Sequence, residues 1–248
     1  MRGRMIPVSP NRRMLIDFMW ASKKVPMVAV QRLVRIPHLV AARAACATRP
    51  SWEAIFLKAY GIATGEFPEL RRAYVKLPWP HFYEANAPVG AIAVARDYLG
   101  EPSLFGITLP EPGKLPLLEI TQTIAHARHA PIEDIKIFRR LVRFIRLPWL
   151  LRRMLLWLAL NIGRQRTRYL GTYGIITTAA LGVESIHVLS VQPTTMAYGI
   201  IADDGSLQVR LFWDHRVVDA VIVASALTRF EQILNGAIAD EISALPRR

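Results

Sequence analysis

Three scarcities limit what this sequence of 248 residues can encode: cysteine, long apolar runs and, over one stretch, acidic residues. The one cysteine, Cys46, excludes an internal disulfide framework and favours a reducing compartment. No uncharged apolar run approaches the roughly 20 residues that a membrane-spanning helix needs. The basic residues 1–11 contain no apolar run, so we expect no signal peptide and a cytoplasmic location.

Acidic residues are absent over 135–183, and nine arginines between Arg139 and Arg168 account for most of the net charge of +13. Two apolar stripes, separated by Pro148, cross residues 132–163 and predict two basic amphipathic helices. We expect six arginines to line the surface left by these stripes: Arg139, Arg140, Arg143, Arg146, Arg152 and Arg153. Two interpretations stay open: contact with an anionic membrane or lipid at the inner face of the membrane, or packing within an oligomer. Nucleic acid is not expected, because the segment is too aliphatic and matches no known nucleic-acid-binding fold.

The stretch around His215 lies between two well-marked elements. Apolar residues alternate with polar ones before it, which predicts a half-buried strand, and recur at helical spacing after it. His215 therefore lies where a strand ends and a helix begins, and Asp219 follows four residues later. One interpretation is an ordinary strand-end histidine with Asp219 as a helix N-cap. The other is a site in which both side chains have chemical roles.

Helices and strands are interspersed along the whole chain, with both hairpins and longer connections. This pattern predicts an α/β chain of the two-layer α+β kind, in which a mixed sheet packs against helices. We expect a single domain over 1–248, because no repeat, low-complexity tract or linker interrupts it. A helix is predicted at 117–129, a hairpin at 203–206, and strands at 172–178, 186–191 and 195–202.

Four short motifs resemble the catalytic domain of the acyltransferase (dihydrolipoyl transacylase) components of 2-oxo acid dehydrogenase complexes, and more distantly chloramphenicol acetyltransferase. They lie in the family's order over nearly the whole chain: Ser9-Pro10-Asn11-Arg12-Arg13, Phe67-Pro68-Glu69-Leu70, Gly171-Thr172-Tyr173 and Asp214-His215-Arg216-Val217-Val218-Asp219. The resemblance implies a chloramphenicol acetyltransferase-like fold. It also implies a homotrimer, or a higher multiple of three, with its active sites between subunits. We expect neither a lipoyl nor a peripheral-subunit-binding domain in this sequence.

The resemblance further implies a coenzyme A-dependent acyltransferase that uses an acyl-CoA thioester as substrate and binds no cofactor. His215 would be the general base, and Thr177, or else Thr178, would donate a hydrogen bond to the oxyanion. Asp219 would support the histidine loop through an ion pair with Arg12. The acceptor is open: a lipid, or a small thiol or hydroxyl compound. The alternative is a non-catalytic, enzyme-derived oligomeric scaffold at a membrane surface.

Two positions depart from the family pattern, and one pair of histidines lacks the further ligands that a metal site needs. Ala220 replaces the glycine that usually follows the aspartate, and Arg71 replaces the asparagine after Phe-Pro-Glu-Leu. His126 and His129 lie three residues apart without an acidic or cysteine ligand beside them, so no metal site is predicted.

Overall fold

A six-stranded mixed sheet forms the centre of the computed structural model, which describes residues 3–248. Met1 and Arg2, the first residues of the basic 1–11 stretch, lie outside the described residues. The strands are β1 (Met27–Arg35), β2 (Arg72–Val75), β3 (His81–Glu84), β4 (Val89–Tyr98), β5 (Glu101–Pro110), β6 (Tyr173–Thr177), β7 (Thr194–Tyr198) and β8 (Ser206–Asp214). The strand order in the main sheet is β1-β8-β7-β6-β4-β5, with β6 parallel to both β4 and β7, while a separate antiparallel ribbon is formed by β2 and β3.

Helices account for most of the remaining described chain. They are α1 (Pro10–Ser22), α2 (Pro37–Ala45), α3 (Trp52–Glu66), α4 (Leu117–His129), α5 (Lys136–Ile145), α6 (Trp149–Asn161), α7 (Gly163–Leu170), α8 (Ala220–Ile233) and α9 (Ala239–Ser243). Side chains cap α1 and α3 at their first turns, where Ser9 accepts from the Arg12 N–H at 3.3 Å and Ser51 from the Ala54 N–H at 3.2 Å. No helix among residues 3–248 is long and apolar enough to cross a membrane.

Helix α3 is the central helix of the hydrophobic core, and ten of its fifteen residues are buried. Tyr60 packs edge-on against Tyr173 of β6, at 5.1 Å between ring centroids, and also contacts Phe230 of α8. The Tyr173 hydroxyl donates to the Leu57 carbonyl at 2.7 Å. These contacts fix α3 across β6 and α8, because buried aromatic rings contribute large apolar areas with directional packing.

Most of the predicted elements are present, and three predictions differ from the structure. Residues 186–191 form no strand. They belong to an irregular connection, in which the Ser190 hydroxyl bonds to the side chain and the backbone N–H of Gln192, just after this range. Strand β3, with its partly exposed residues, was not predicted. The basic segment, residues 132–170, contains a third helix, α7, after the two that were predicted. In α7 arginine replaces the apolar stripe.

The basic segment packs along one side of the molecule, with α6 against α1, β2 and α7. Arg152 of α6 is buried and bonds to Asp17 of α1 at 2.5 Å and to the Leu147 carbonyl at 2.7 Å. Arg166 of α7 is also buried. The prediction that Arg152 lines the surface is therefore wrong, because its guanidinium pairs with the buried Asp17 carboxylate of α1.

Candidate active site

The turn that follows β8 holds His215 in a fixed backbone conformation. The N–H groups of Val217 and Val218 donate to the Asp214 carbonyl at 3.0 and 3.3 Å. The Trp213 indole Nε1 donates to the Val218 carbonyl at 2.9 Å, which closes the turn from the core side. His215 is exposed at the apex, with its ring centroid 5.7 Å from that of Trp213. The turn therefore presents the imidazole on the surface of a single chain.

An ion pair between Asp214 and Arg216 stabilises the turn from its buried side. The Asp214 carboxylate is completely buried and accepts from Arg216 at three points: the backbone N–H at 3.1 Å, Nε at 2.9 Å and Nη2 at 2.6 Å. This two-pronged geometry is stronger and more directional than a single contact. The Arg216 guanidinium also lies over the Tyr74 ring, 4.7 Å from its centroid. The backbone on both sides of His215 is thus fixed by its immediate neighbours.

The pair expected between Arg12 and Asp219 is not formed within one chain. Both side chains are exposed, and no ion pair joins them among the residues that the structure describes. The end of α1 nearest the turn is its C-terminal end, where the Lys24 carbonyl accepts from Arg216 Nη2 at 3.4 Å. Arg12 lies ten residues before Ser22, about 15 Å away along the helix axis. Within one chain the turn is supported by the Asp214–Arg216 pair, and the pairing of Asp219 with Arg12 stays a prediction.

The two candidate oxyanion donors follow one another at the end of β6. The Thr177 hydroxyl donates to the Tyr198 carbonyl and accepts from the Ala179 N–H, each at 3.1 Å. The Thr178 hydroxyl donates to the Val183 carbonyl at 2.8 Å. Both hydroxyl groups are half-buried and have partners within their own chain.

The sheet register separates His215 from Thr177. Trp213 pairs with Thr194, which in turn pairs with Tyr173, so these three residues share one level of the sheet. Thr177 lies four residues further along β6, about 13 Å along the strand, and the two strand spacings add about 10 Å across it. His215 lies beyond Trp213 in the opposite direction. A single chain therefore places the two side chains at opposite ends of the sheet.

A small cleft of about 70 Å³ lies beside the His215 turn. It is lined by Lys24, Val25, Tyr74, Lys76, Trp157, Leu160, Asn161, Arg166 and Arg216. Arg166 donates to the Tyr74 carbonyl at 2.9 Å and to the Val191 carbonyl at 3.0 Å. Burial lowers the pKa of Arg166 to about 10, an effect that nearby Asp214 opposes and Arg216 strengthens. Sequence reasoning did not identify this arginine as part of the site.

No cluster of three or more potential metal ligands occurs within residues 3–248. His126 and His129 lie in the last turn of α4, away from the His215 turn. Four cationic and two aromatic side chains line the cleft beside the turn. They suit contact with an anion and proton transfer by His215.

Known structures supply the comparison that decides the fold. The chain is similar to a probable dihydrolipoamide acetyltransferase from Listeria monocytogenes 4b F2365, with 18% identity, a TM-score of 0.64 and coverage of 98% of this chain and 96% of that one. The fold is that of an acyltransferase catalytic core. The dihydrolipoamide acetyltransferase of Azotobacter vinelandii and the cubic core of a pyruvate dehydrogenase multienzyme complex are each 14% identical, with TM-scores of 0.64 and coverage of 96% of this chain and 93% of theirs. No protein-family model and no curated protein matches the sequence.

These likenesses confirm the fold that the motifs implied, a mixed sheet packed with helices as in dihydrolipoamide acetyltransferase cores and chloramphenicol acetyltransferase. At such low identity they extend to the fold alone. The residues that the sequence analysis missed are Asp214, Arg216 and Arg166. Asp214 and Arg216 lie within the quoted motif, on either side of His215, and this spacing of an acidic and a basic residue was the signal from which their ion pair could have been predicted. Arg166 had no signal that distinguished it from the eight other arginines of its block.

Proposed function

We propose that this protein is a coenzyme A-dependent acyltransferase in which His215 is the general base. The observation that carries the proposal is the fixed, exposed His215 turn on an acyltransferase fold. The solved Azotobacter acetyltransferase was investigated for the catalytic roles of a serine, a histidine and an asparagine, the last two four residues apart. His215 and Asp219 have the same spacing in this chain.

The proposed reaction transfers an acyl group from the sulfur of coenzyme A to a thiol or hydroxyl acceptor. The imidazole of His215 takes the proton from the acceptor as its sulfur or oxygen attacks the thioester carbonyl. The tetrahedral intermediate carries a negative oxygen, to which the Thr177 hydroxyl donates after leaving the Tyr198 carbonyl. The carbon–sulfur bond then breaks, and the imidazolium returns the proton to the departing coenzyme A thiolate. Acids and bases in such positions contribute about 10²- to 10⁴-fold in rate.

The active site forms between chains in this proposal, because one chain holds His215 and Thr177 at opposite ends of its sheet. A cyclic trimer brings the β8 end of one sheet to the β6 end of the next, so each site uses one residue from each neighbour. Assembly into a cubic core, as named for the pyruvate dehydrogenase complex, supports threefold contacts for this fold. The exposed positions of Arg12 and Asp219 also leave them free to pair across such an interface.

Complementation between two inactive variants tests this arrangement directly. His215→Ala and Thr177→Val are purified alone, then unfolded and refolded together in equal amounts, and acyl transfer is measured by chromatography as the conversion of acyl-CoA to free coenzyme A. If each site uses two chains, random mixing gives about a quarter of the sites both native residues, and activity returns to about that level. Thr177→Ser, which keeps the hydroxyl, serves as the matched control and retains activity.

Three results would contradict or amend this proposal. Full conversion of acyl-CoA to free coenzyme A by His215→Ala alone would remove the histidine from the mechanism. Failure of the mixed trimers to regain activity, with both parent variants correctly assembled, would place each site within one chain or replace Thr177 as the donor. If Thr178→Val lowers the activity and Thr177→Val does not, the oxyanion donor is Thr178 and not Thr177.

A second proposal concerns α5, which we expect to attach the protein to an anionic membrane. Five exposed cations have no carboxylate partner within the described residues: Lys136, Arg139, Arg140 and Arg143 on its solvent face, and Arg146 directly after its last residue. Trp149, Leu150 and Met154 at the start of α6 are each more than half exposed beside this face. Basic residues near an anionic surface contribute about 1 kcal/mol each, and exposed aromatic and aliphatic groups add apolar burial.

Co-flotation with vesicles tests the attachment. Phosphatidylserine-containing vesicles should carry the protein upward, pure phosphatidylcholine vesicles should not, and added salt should weaken the binding. Changing Arg139, Arg140, Arg143 and Arg146 to Gln should abolish flotation. The control changes four exposed cations elsewhere, namely Lys23, Arg49, Arg247 and Arg248. Equal loss in both variants would show dependence on net charge alone, and no flotation of the native protein would leave α5 as an oligomer contact.

A further inference from the structure

The cleft beside the His215 turn gathers four cations from separate parts of the chain. Lys24 follows α1, Lys76 follows β2, Arg166 lies in α7, and Arg216 is the residue after His215. No carboxylate lines the cleft. Of the acidic residues, Asp214 is the one that influences Arg166, and Arg216 already engages both of its oxygens. The lining therefore carries a strong excess of positive charge.

Arg166 is the buried centre of this group. It is 3% exposed, and two of its nitrogens donate to the Tyr74 and Val191 carbonyls. Its Nε is buried and has no hydrogen-bond partner among the described residues. A buried guanidinium that contacts carbonyl dipoles but no counter-ion is held at a cost in free energy, which a bound anion offsets. Arg152, which is buried to a similar degree, pairs with the Asp17 carboxylate instead.

The size of the cleft selects the kind of anion. Pockets for drug-sized ligands enclose about 300–1,000 Å³, far more than the 70 Å³ found here. A single phosphate or carboxylate group fits this volume, whereas a nucleotide does not. Val25, Trp157 and Leu160 supply apolar walls, which exclude water around the group and strengthen its attraction to the cations.

We propose that this cleft is a binding site for a phosphate or carboxylate group, which Lys24, Lys76, Arg166 and Arg216 hold beside His215. Because Arg216 directly follows His215, an anion held here lies next to the turn that presents the imidazole. The identification of that anion as part of an acyl-transfer substrate rests on the function proposed above. The binding site itself does not, since it depends on charge, burial and shape alone.

Direct binding to the native protein tests the site without any turnover. Inorganic phosphate and malonate are titrated at constant ionic strength against chloride, and binding is read from the change in tryptophan fluorescence, to which Trp157 contributes, and from the rise in melting temperature. A stronger response to phosphate identifies a phosphorylated substrate, and a stronger response to malonate identifies a carboxylate-bearing one. Either should saturate, whereas chloride should not reproduce the response.

Matched variants locate the binding. Lys24→Gln and Lys76→Gln change exposed residues that line the cleft, and each should weaken binding about fivefold through loss of one nearby charge. Lys23→Gln removes the same charge one residue away, outside the lining, and should leave the affinity unchanged. Arg166→Lys keeps the charge but loses the planar donors, and should weaken binding further if the protein stays folded. His215→Ala should bind the anion normally.

Either of two results would overturn the proposed anion-binding site. Equal affinity of Lys23→Gln, Lys24→Gln and Lys76→Gln, or no saturable response beyond that of chloride, would mean that the cleft binds no anion. Normal anion binding together with full acyl-CoA turnover by His215→Ala would retain the site and reject the acyltransferase mechanism. The two failures are therefore distinguishable.

Discussion

Substitution of Asp214 by Asn should both destabilise the protein and loosen the turn that presents His215. The carboxylate is fully buried and accepts three hydrogen bonds from Arg216. Asparagine keeps one oxygen acceptor, but its amide nitrogen is a donor and faces the guanidinium donors. The substitution therefore removes the ion pair and places two donors against each other in the protein interior.

The size of the effect follows from how the two partners are buried. Breaking a fully buried ion pair costs about 3–5 kcal/mol. The Arg216 side chain is 34% exposed and can turn to water, which lowers the expected cost to about 3 kcal/mol. For a chain of this length each kcal/mol lowers the melting temperature by about 2–4 °C, so Asp214→Asn should melt about 6–12 °C below the native protein.

Thermal and urea unfolding at one fixed protein concentration measure this loss, because oligomerisation makes the midpoint concentration-dependent. Asp203→Asn is the matched control, since Asp203 is exposed in the turn before β8. It should melt within about 2 °C of the native protein. Equal melting of Asp214→Asn and Asp203→Asn would refute the claim that the Asp214–Arg216 pair fixes the turn.

Two further changes test how the basic segment is attached. Asp17→Ala should lower the free energy of unfolding by about 3–5 kcal/mol in urea, because it leaves the buried Arg152 guanidinium without its carboxylate; a loss below 1 kcal/mol would contradict this account. Gly163→Ala should cost about 1–3 kcal/mol, since an added Cβ overlaps the Tyr83 ring, whereas Gly236→Ala, with nothing near its added Cβ, should be neutral. Equal urea midpoints for the two alanine variants would show that α7 does not pack closely on β3.

Local patterns in the sequence predicted much of the fold. The alternation before His215 marked β8, and the helical spacing after it marked α8. The helix predicted at 117–129 is α4. The connection at 186–191 was misread as a strand because its apolar residues alternate, although Ser190 and Gln192 satisfy each other locally. Strand β3 escaped prediction because short, partly exposed strands carry a weak periodic signal.

The site was predictable only where its residues are neighbours in sequence. His215 and its turn could be located from one motif, whereas the pairing partner of Asp219 required knowledge of which end of α1 approaches the turn. Thr177 could be placed at the end of a strand, but its separation from His215 depends on the order and register of three strands. Such long-range pairing is not encoded in any local pattern of one sequence.

The arginines of the basic segment divide into groups with different physical roles. Arg152 joins α6 to α1 through Asp17, and Arg166 joins α7 to β2 and to the connection before β7. The exposed arginines of α5 have neither kind of contact among the described residues. Because burial of a cation is costly, the two inward-facing arginines indicate that the segment is built into the molecule, and Trp157, Leu160, Asn161 and Arg166 of this segment line the cleft beside the His215 turn. The excess charge therefore has two locations, an open surface on α5 and an enclosed site beside the proposed general base, and only the second is positioned to influence substrate choice.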